Sequence, residues 1–325
     1  MRCRVGLMVI ATTASLALGA CTGNPRVPLS PTAAPTALNS TTPNPIPAPQ
    51  RTIDALPDTA SGTTVLVNDK SMVRSRVEEE PQGPETFWVE EDQITVADHV
   101  NNRIVTFQNS GVIDSLDWPT TAEGEPVRAV DMAIDGDTFY FLEFMEPFVH
   151  VHQRVHGRLE PVRVVDFSSE SSSQVDQIEL QDGHLIGVTY SGRRFMIEGS
   201  GELPPDPVLQ IDEEIPSHIV KDGPVNVRLA THHEPVGVQL LRRDSTGSYY
   251  LTAESHYSDE QGTVYVLHVY HLALDGSLVR TFTPHRDVDH VPNREFRLVN
   301  GQLYQLLVRA DSAEVILLHP NSAKR

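Results

Sequence analysis

A chain of 325 residues with 44 acidic against 25 basic side chains, net charge −19, repels polyanions. Nucleic acid is thereby excluded as a partner, and electrostatic attachment to anionic lipid is opposed. The two cysteines are Cys3 and Cys21, so the chain beyond them has neither a thiol nucleophile nor a disulfide framework.

The chain opens with Arg2 and Arg4, an uncharged and mostly apolar run over residues 5–18, and then Gly19-Ala20-Cys21. Charge, short apolar core and small residues, in that order, make a secretory signal. The run has 14 residues, short of the roughly 20 that a membrane-spanning helix needs. Leu18-Gly19-Ala20-Cys21 resembles the lipobox of bacterial lipoproteins, whose cysteine is lipidated on sulfur before the peptide is cut. The resemblance covers this segment alone. It implies a signal peptide over residues 1–20, acyl chains on Cys21, and a protein held by that anchor on the extracytoplasmic face of a bacterial membrane.

Residues 22–52 hold eight prolines, no acid, and only Arg26 and Arg51 as charges. Such a stretch cannot bury enough apolar area to offset the entropy of ordering it. A disordered tether is therefore expected over residues 21–60, reaching up to roughly 90 Å if it extends as polyproline II. Beyond residue 52 all 44 acids face 21 Lys and Arg, a net charge of about −23. That balance favours solubility and cationic partners, and a monomeric body is expected. The runs Glu78-Glu79-Glu80 and Asp212-Glu213-Glu214 read as solvated loops.

From about Thr63 the chain becomes short runs rich in Val, Ile, Tyr and Phe between turn signals, an all-β pattern. A double hairpin recurs. Asp135-Gly136, Asp182-Gly183 and Asn300-Gly301 each separate two apolar runs, and such pairs suit tight turns. Units begin near Phe87, Val130, Gln177, Val236 and Glu295, about 43 to 59 residues apart, which is blade spacing. Residues 139–142 and 264–267 are apolar on both faces, as strands packed between neighbouring sheets must be. The last unit supplies three strands, and residues 64–67 are an unpaired strand able to complete it beside residues 315–318. The expected fold is a β-propeller of five or six four-stranded blades over residues 61–325, closed by its N- and C-terminal strands.

Ile94-Thr95-Val96-Ala97-Asp98, then Asn101-Asn102-Arg103-Ile104, Phe107 and Gly111, resemble an NHL repeat. The resemblance covers one blade of about 30 residues. It implies a propeller, commonly of six blades, in which Asn101 and Asn102 take left-handed turns and Arg103 braces a neighbouring loop. Residues 203–230 are the candidate for a degenerate sixth unit. No activity transfers with this motif.

Chemistry is sparse. His150 and His152 are two apart on an expected strand, either an exposed pair or two ligands of a zinc or copper site lacking a third. The segment His285-Arg286-Asp287-Val288-Asp289-His290 reads as a polar connecting loop without calcium-loop spacing, and His232-His233 needs no functional account. Trp88 and Trp118 are either core residues or the lining of a sugar site. There is no Gly-x-Ser-x-Gly elbow, phosphate loop or His-Glu-x-x-His. Cys21 is the one site residue assigned, with no catalytic, cofactor-binding or metal-ligating residue beside it. Two functions fit: a non-enzymatic lipoprotein presenting a propeller to a protein or glycan, or a calcium-dependent propeller hydrolase or lyase acting on an extracellular sugar derivative. Three or four acidic or amide side chains converging on a central channel would favour the enzyme, and a featureless channel the binding module.

Overall fold

The structure, a computed structural model, describes residues 50–321 apart from 57–59, 75–80, 169–174, 190–192, 201–202, 204, 244–245 and 261. The signal, Cys21, most of the tether and the Glu78-Glu79-Glu80 run lie outside the described residues, all of which belong to one unit, residues 47–325. Among them no helix is long and apolar enough to cross a membrane, and the helices present are two 3-10 turns, Lys70–Met72 and His99–Asn101.

The fold is all-β. Two strands precede the repeats, β1 (Arg51–Ile53) and β2 (Thr63–Asp69). A first sheet follows, of β3 (Phe87–Glu90), β4 (Gln93–Asp98), β5 (Arg103–Gln108) and β6 (Gly111–Asp117). The second holds β7 (Ala129–Asp135), β8 (Thr138–Glu143), β9 (Phe148–Val155) and β10 (Arg158–Asp166). A third has three strands, β11 (Val175–Gln181), β12 (His184–Thr189) and β13 (Arg194–Glu198). The fourth is β14 (Val208–Asp212), β15 (Ser217–Asp222) and β16 (Val225–Ala230) with β1 at its edge. The fifth is β17 (Glu234–Arg243), β18 (Tyr249–Asp259), β19 (Gly262–Leu272) and β20 (Leu278–Phe282). The sixth is β21 (Phe296–Val299), β22 (Gln302–Val308) and β23 (Ala313–Leu318) with β2 at its edge. Residues 203–230 thus do supply a sheet of their own.

Turn chemistry explains the hairpins. Asp182 and Gly183 (φ 53° and 76°) and Asn300 and Gly301 (φ 50° and 74°) hold positive φ at both central positions, as a type I′ turn requires. At the β7–β8 turn only Gly136 is positive (φ 56°), which matches the class with glycine first. Packing then joins sheets. Five apolar clusters bridge the first and second, second and third, fourth and fifth, fifth and sixth, and sixth and first sheets. In the segment leading into the fourth sheet, Asp206 Oδ2 accepts from Arg194 N of the third sheet at 3.3 Å and Pro205 O from Arg243 Nη1 of the fifth at 3.2 Å.

Thr64 pairs with Leu317, Val65 with Ile316 and Val67 with Val315, the pairing expected from the sequence. Three expectations need correction. Arg51–Ile53, assigned to the tether, is an edge strand that pairs in parallel with Val227–Leu229, because Ile53 and Leu56 pack on the apolar cluster shared by the fourth and fifth sheets. Only Asn102 is left-handed (φ 53°), while Asn101 ends the 3-10 turn and donates to Asp98 Oδ2 and Ser71 O. Residues 264 and 265 are not enclosed on both faces. They stand near the tip of a hairpin in which β18 and β19 run 11 residues each, past the sheet.

Candidate functional site

Three first strands, β11, β17 and β21, line three cavities in series. A wide one of about 480 Å³ lies at their N-terminal ends, among Asp176, Gln239, Glu254, Arg286, Asn293 and Glu295. It shares Leu241 and Phe296 with a narrower one of about 170 Å³, which shares Arg242 and Leu298 with a third of about 290 Å³. The third reaches the turns at Asp182 and Gly301. At the far end of the series Arg242 lines the cavity beside Gln181, Asp182 and Asn300.

In the wide cavity Arg286 stands between two carboxylates, Nη2 3.0 Å from Glu254 Oε1 and Nη1 3.7 Å from Glu295 Oε2. Glu295 Oε1 accepts from Gln305 Nε2 at 2.8 Å. Burial pushes the Glu295 carboxyl up to about 7, against the pull of Arg286 and Gln305 and with Glu254 adding to the rise. Asp176 is raised by burial too, and its Oδ2 has no hydrogen-bond partner among the described residues. Asn293 ties the rim together: its N donates to Glu85 Oε2 at 2.9 Å and its Nδ2 to the Asp176 carbonyl. Burial disfavours the charged Glu85, but the hydrogen bonds from His290 and Asn293 prevail and hold it below the usual range.

Beneath this cavity lies an ionic knot. Asp131, fully buried, accepts from Thr86 Oγ1, Ile178 N, Arg294 and Arg297. Burial alone would raise its carboxyl, but the two guanidiniums and Thr86 lower it. Arg294 also donates to Gln177 Oε1 at 2.6 Å and Ile178 O at 2.8 Å. Arg297 donates to the carbonyls of Phe87 and Met132 and lies over the Trp88 ring, 4.5 Å from its centroid. Four sheets meet at this one carboxylate.

The fold separates the alternatives left open by the residue pattern. Trp88 packs under Arg297 and lines the narrow cavity, whereas Trp118 donates Nε1 to Val127 O at 2.8 Å in the first–second sheet core. His150 and His152 are buried, not exposed, and each has its own partner: Glu143 Oε2 at 2.7 Å and Thr120 O at 2.8 Å. They share no ligand position. Segment 285–290 is a loop, and it delivers Arg286 to the wide cavity. His233 stacks on Tyr257 at 4.4 Å, while His232 is exposed beside it. Asp212 caps its turn, accepting from the backbone of Glu214 and Ile215, and pairs with Arg228 at 2.8 Å. Acidic and amide side chains do converge on the wide cavity, but among the described residues no three His, Cys, Asp or Glu stand where they could hold one metal ion. The residues that sequence reading missed are Asp131, Arg294 and Arg297. The one signal for them was an acid set inside the apolar run Val130-Asp131-Met132-Ala133.

No protein-family model matches the chain, and no curated protein does. Among solved structures it is similar to a Bacteroides fragilis protein thought to be exported, at 8% identity and a TM-score of 0.42, over 84% of this chain and 99% of that one. It is also similar to the WD40 domain of Toxoplasma gondii coronin, at 10% identity and a TM-score of 0.39, over 82% and 90% of the two chains. A third is the β-propeller domain of Myceliophteria thermophila Cps50 (Swd1), at 10% identity and a TM-score of 0.36, over 73% and 83%.

Proposed function

We propose that this protein is a lipid-anchored, extracytoplasmic binding module whose six sheets are the blades of a propeller closed by β2 on β23, and that it holds a glycan at its wide mouth. The N-terminal sequence supports the anchor at Cys21, and the five bridging clusters support the ring. One observation carries the ligand class. The β18–β19 hairpin continues past Glu254 of the wide cavity and there presents Tyr265, 48% exposed, on the face that carries Glu254, because Tyr265 lies opposite His256. Sugars need both chemistries, an aromatic face for their C–H surface and fixed polar groups for their hydroxyls. Screening the full chain on immobilised glycans, then titrating the best ligand, tests the reading. Tyr265→Ala should weaken binding about tenfold or more, in the 1–2 kcal/mol range of a lost aromatic contact, whereas Tyr257→Ala, on the opposite face, should not. Absence of any bound glycan, or binding indifferent to Tyr265→Ala, would sink it.

One observation favours the enzymatic reading as a second: a buried carboxyl near 7 inside a cavity is poised for acid–base work. If the bound glycan is cleaved, with or without added calcium, and Glu295→Gln binds it without cleaving it, the protein is a hydrolase or lyase.

A further inference from the structure

The narrow end of the channel departs from the charge of the rest of the molecule. Arg242, Tyr250, His271 and Arg280 are direct cross-strand neighbours on β17, β18, β19 and β20. Side chains opposite one another on adjacent strands share a face, so the two arginines bracket a Tyr250–His271 stack whose ring centroids are 4.0 Å apart. Each arginine is held by one backbone carbonyl across the sheet interface: Arg242 Nη1 donates to Leu298 O at 2.7 Å and Arg280 Nη1 to Gly301 O at 3.2 Å. Neither forms an ion pair with a carboxylate of the described residues, although both are only partly exposed.

The inner neighbours do not supply the missing charge. Glu179 is taken by Arg194 Nη2 at 3.1 Å, with Arg294 Nη1 at 3.7 Å, and Asp131 is shared by Arg294 and Arg297. Asp182, on the exposed turn, is the one other carboxylate lining the outer cavity among the described residues. Asp131 and Glu179 are thus occupied by Arg194, Arg294 and Arg297, in a chain whose net charge is −19. Burial lowers Arg297 to about 9, and the positive charges of Arg294 and Arg242 add to the fall. Arginine pairs with donors turned to a cavity wall suit carboxylate and phosphate oxygens.

We propose that the cavity of about 290 Å³ at the narrow end is an oxyanion site, in which Arg242 on its wall and Arg280, bonded to the lining residue Gly301, hold a carboxylate or phosphate group of a small ligand beside Tyr250. The site is separate from the glycan mouth and stands without it. Calorimetric titration of the full chain with inorganic phosphate and with glucuronate, against sodium chloride at equal ionic strength, tests it. Saturable binding of at least one probe is expected. It should weaken at least tenfold in Arg242→Gln and in Arg280→Gln, less in Arg242→Lys, and remain unchanged in Tyr265→Ala. Phosphate alone binding would mark a phosphoryl ligand, and glucuronate alone a carboxylate ligand. The proposal is overturned if neither probe binds above the chloride control, or if affinity survives the Arg242→Gln/Arg280→Gln double change. Unaltered thermal unfolding identifies the variants that can be scored, and Arg280→Gln serves if Arg242→Gln does not fold.

Discussion

Ser61 and Asn321, 260 positions apart, share a hydrogen bond of 2.9 Å from Ser61 Oγ to Asn321 Oδ1. The same Oγ accepts from Thr283 N at 2.7 Å, and Asn321 Nδ2 reaches the hydroxyls of Thr281 and Thr283. The start of the body, its last described residue and the end of β20 are thus one polar seam.

Ser61→Ala leaves the buried Thr283 N–H without its acceptor, and a loss of about 1–3 kcal/mol is expected. Urea unfolding reads it as a lower midpoint with one transition. Deleting residues 63–69 should do far more, because it strips the outer strand from β23. A truncated protein as stable as the parent would disprove the role given to β2.

Asp131→Asn should cost about 3–5 kcal/mol, because it leaves Arg294 and Arg297 buried without a counter-charge. Thr86→Ala removes only one donor to the same carboxylate and should cost about 1 kcal/mol. Chemical denaturation of both variants gives the comparison. Equal losses would mean that hydrogen bonding and not charge holds the four sheets at this point.

Glu295 makes stability depend on pH in a stated direction. Its carboxyl titrates near 7 in the folded chain against 4.5 unfolded, so the folded state holds the extra proton. The contribution is complete below about 4.5 and is lost as pH rises through 7, on the order of 3 kcal/mol over that window. Glu295→Gln should therefore flatten the pH profile of unfolding between those limits. A variant whose profile parallels the parent would assign the slope to other groups.

Cys21→Ala should release the protein from membranes or halt removal of the signal. Membrane fractionation and the mass of the N-terminal peptide check this. Normal processing together with continued membrane association would refute the anchor.

Hairpins were legible wherever both turn positions carried a known preference, as at Asp182-Gly183 and Asn300-Gly301. Asn109-Ser110 was only half so, since a positive φ at Ser110 (63°) is imposed by the two-residue loop between Gln108 and Gly111. The strand Arg51–Ile53 was hidden by its setting, because a three-residue edge strand shows no periodicity after a run of prolines. Its partner Val227 lies 176 positions further on. The channel was least legible. Asp131, Arg297 and Arg242 gain their meaning from sheets that meet in space, and each alone looks like an ordinary strand charge.

The short strand β1 has a mechanical consequence. Tension arriving from the N-terminal side of the chain meets β1 first, and its three residue pairs with β16, together with the Arg51–Asp275 contact at 3.2 Å, form a weak first catch. Once β1 and the Leu56 packing are pulled free, the load passes to Ser61, bonded to Thr283 and Asn321, and to β2, fastened along six pairs to β23. The body can give up one edge strand of its fourth sheet before the joint between β2 and β23 is put at risk.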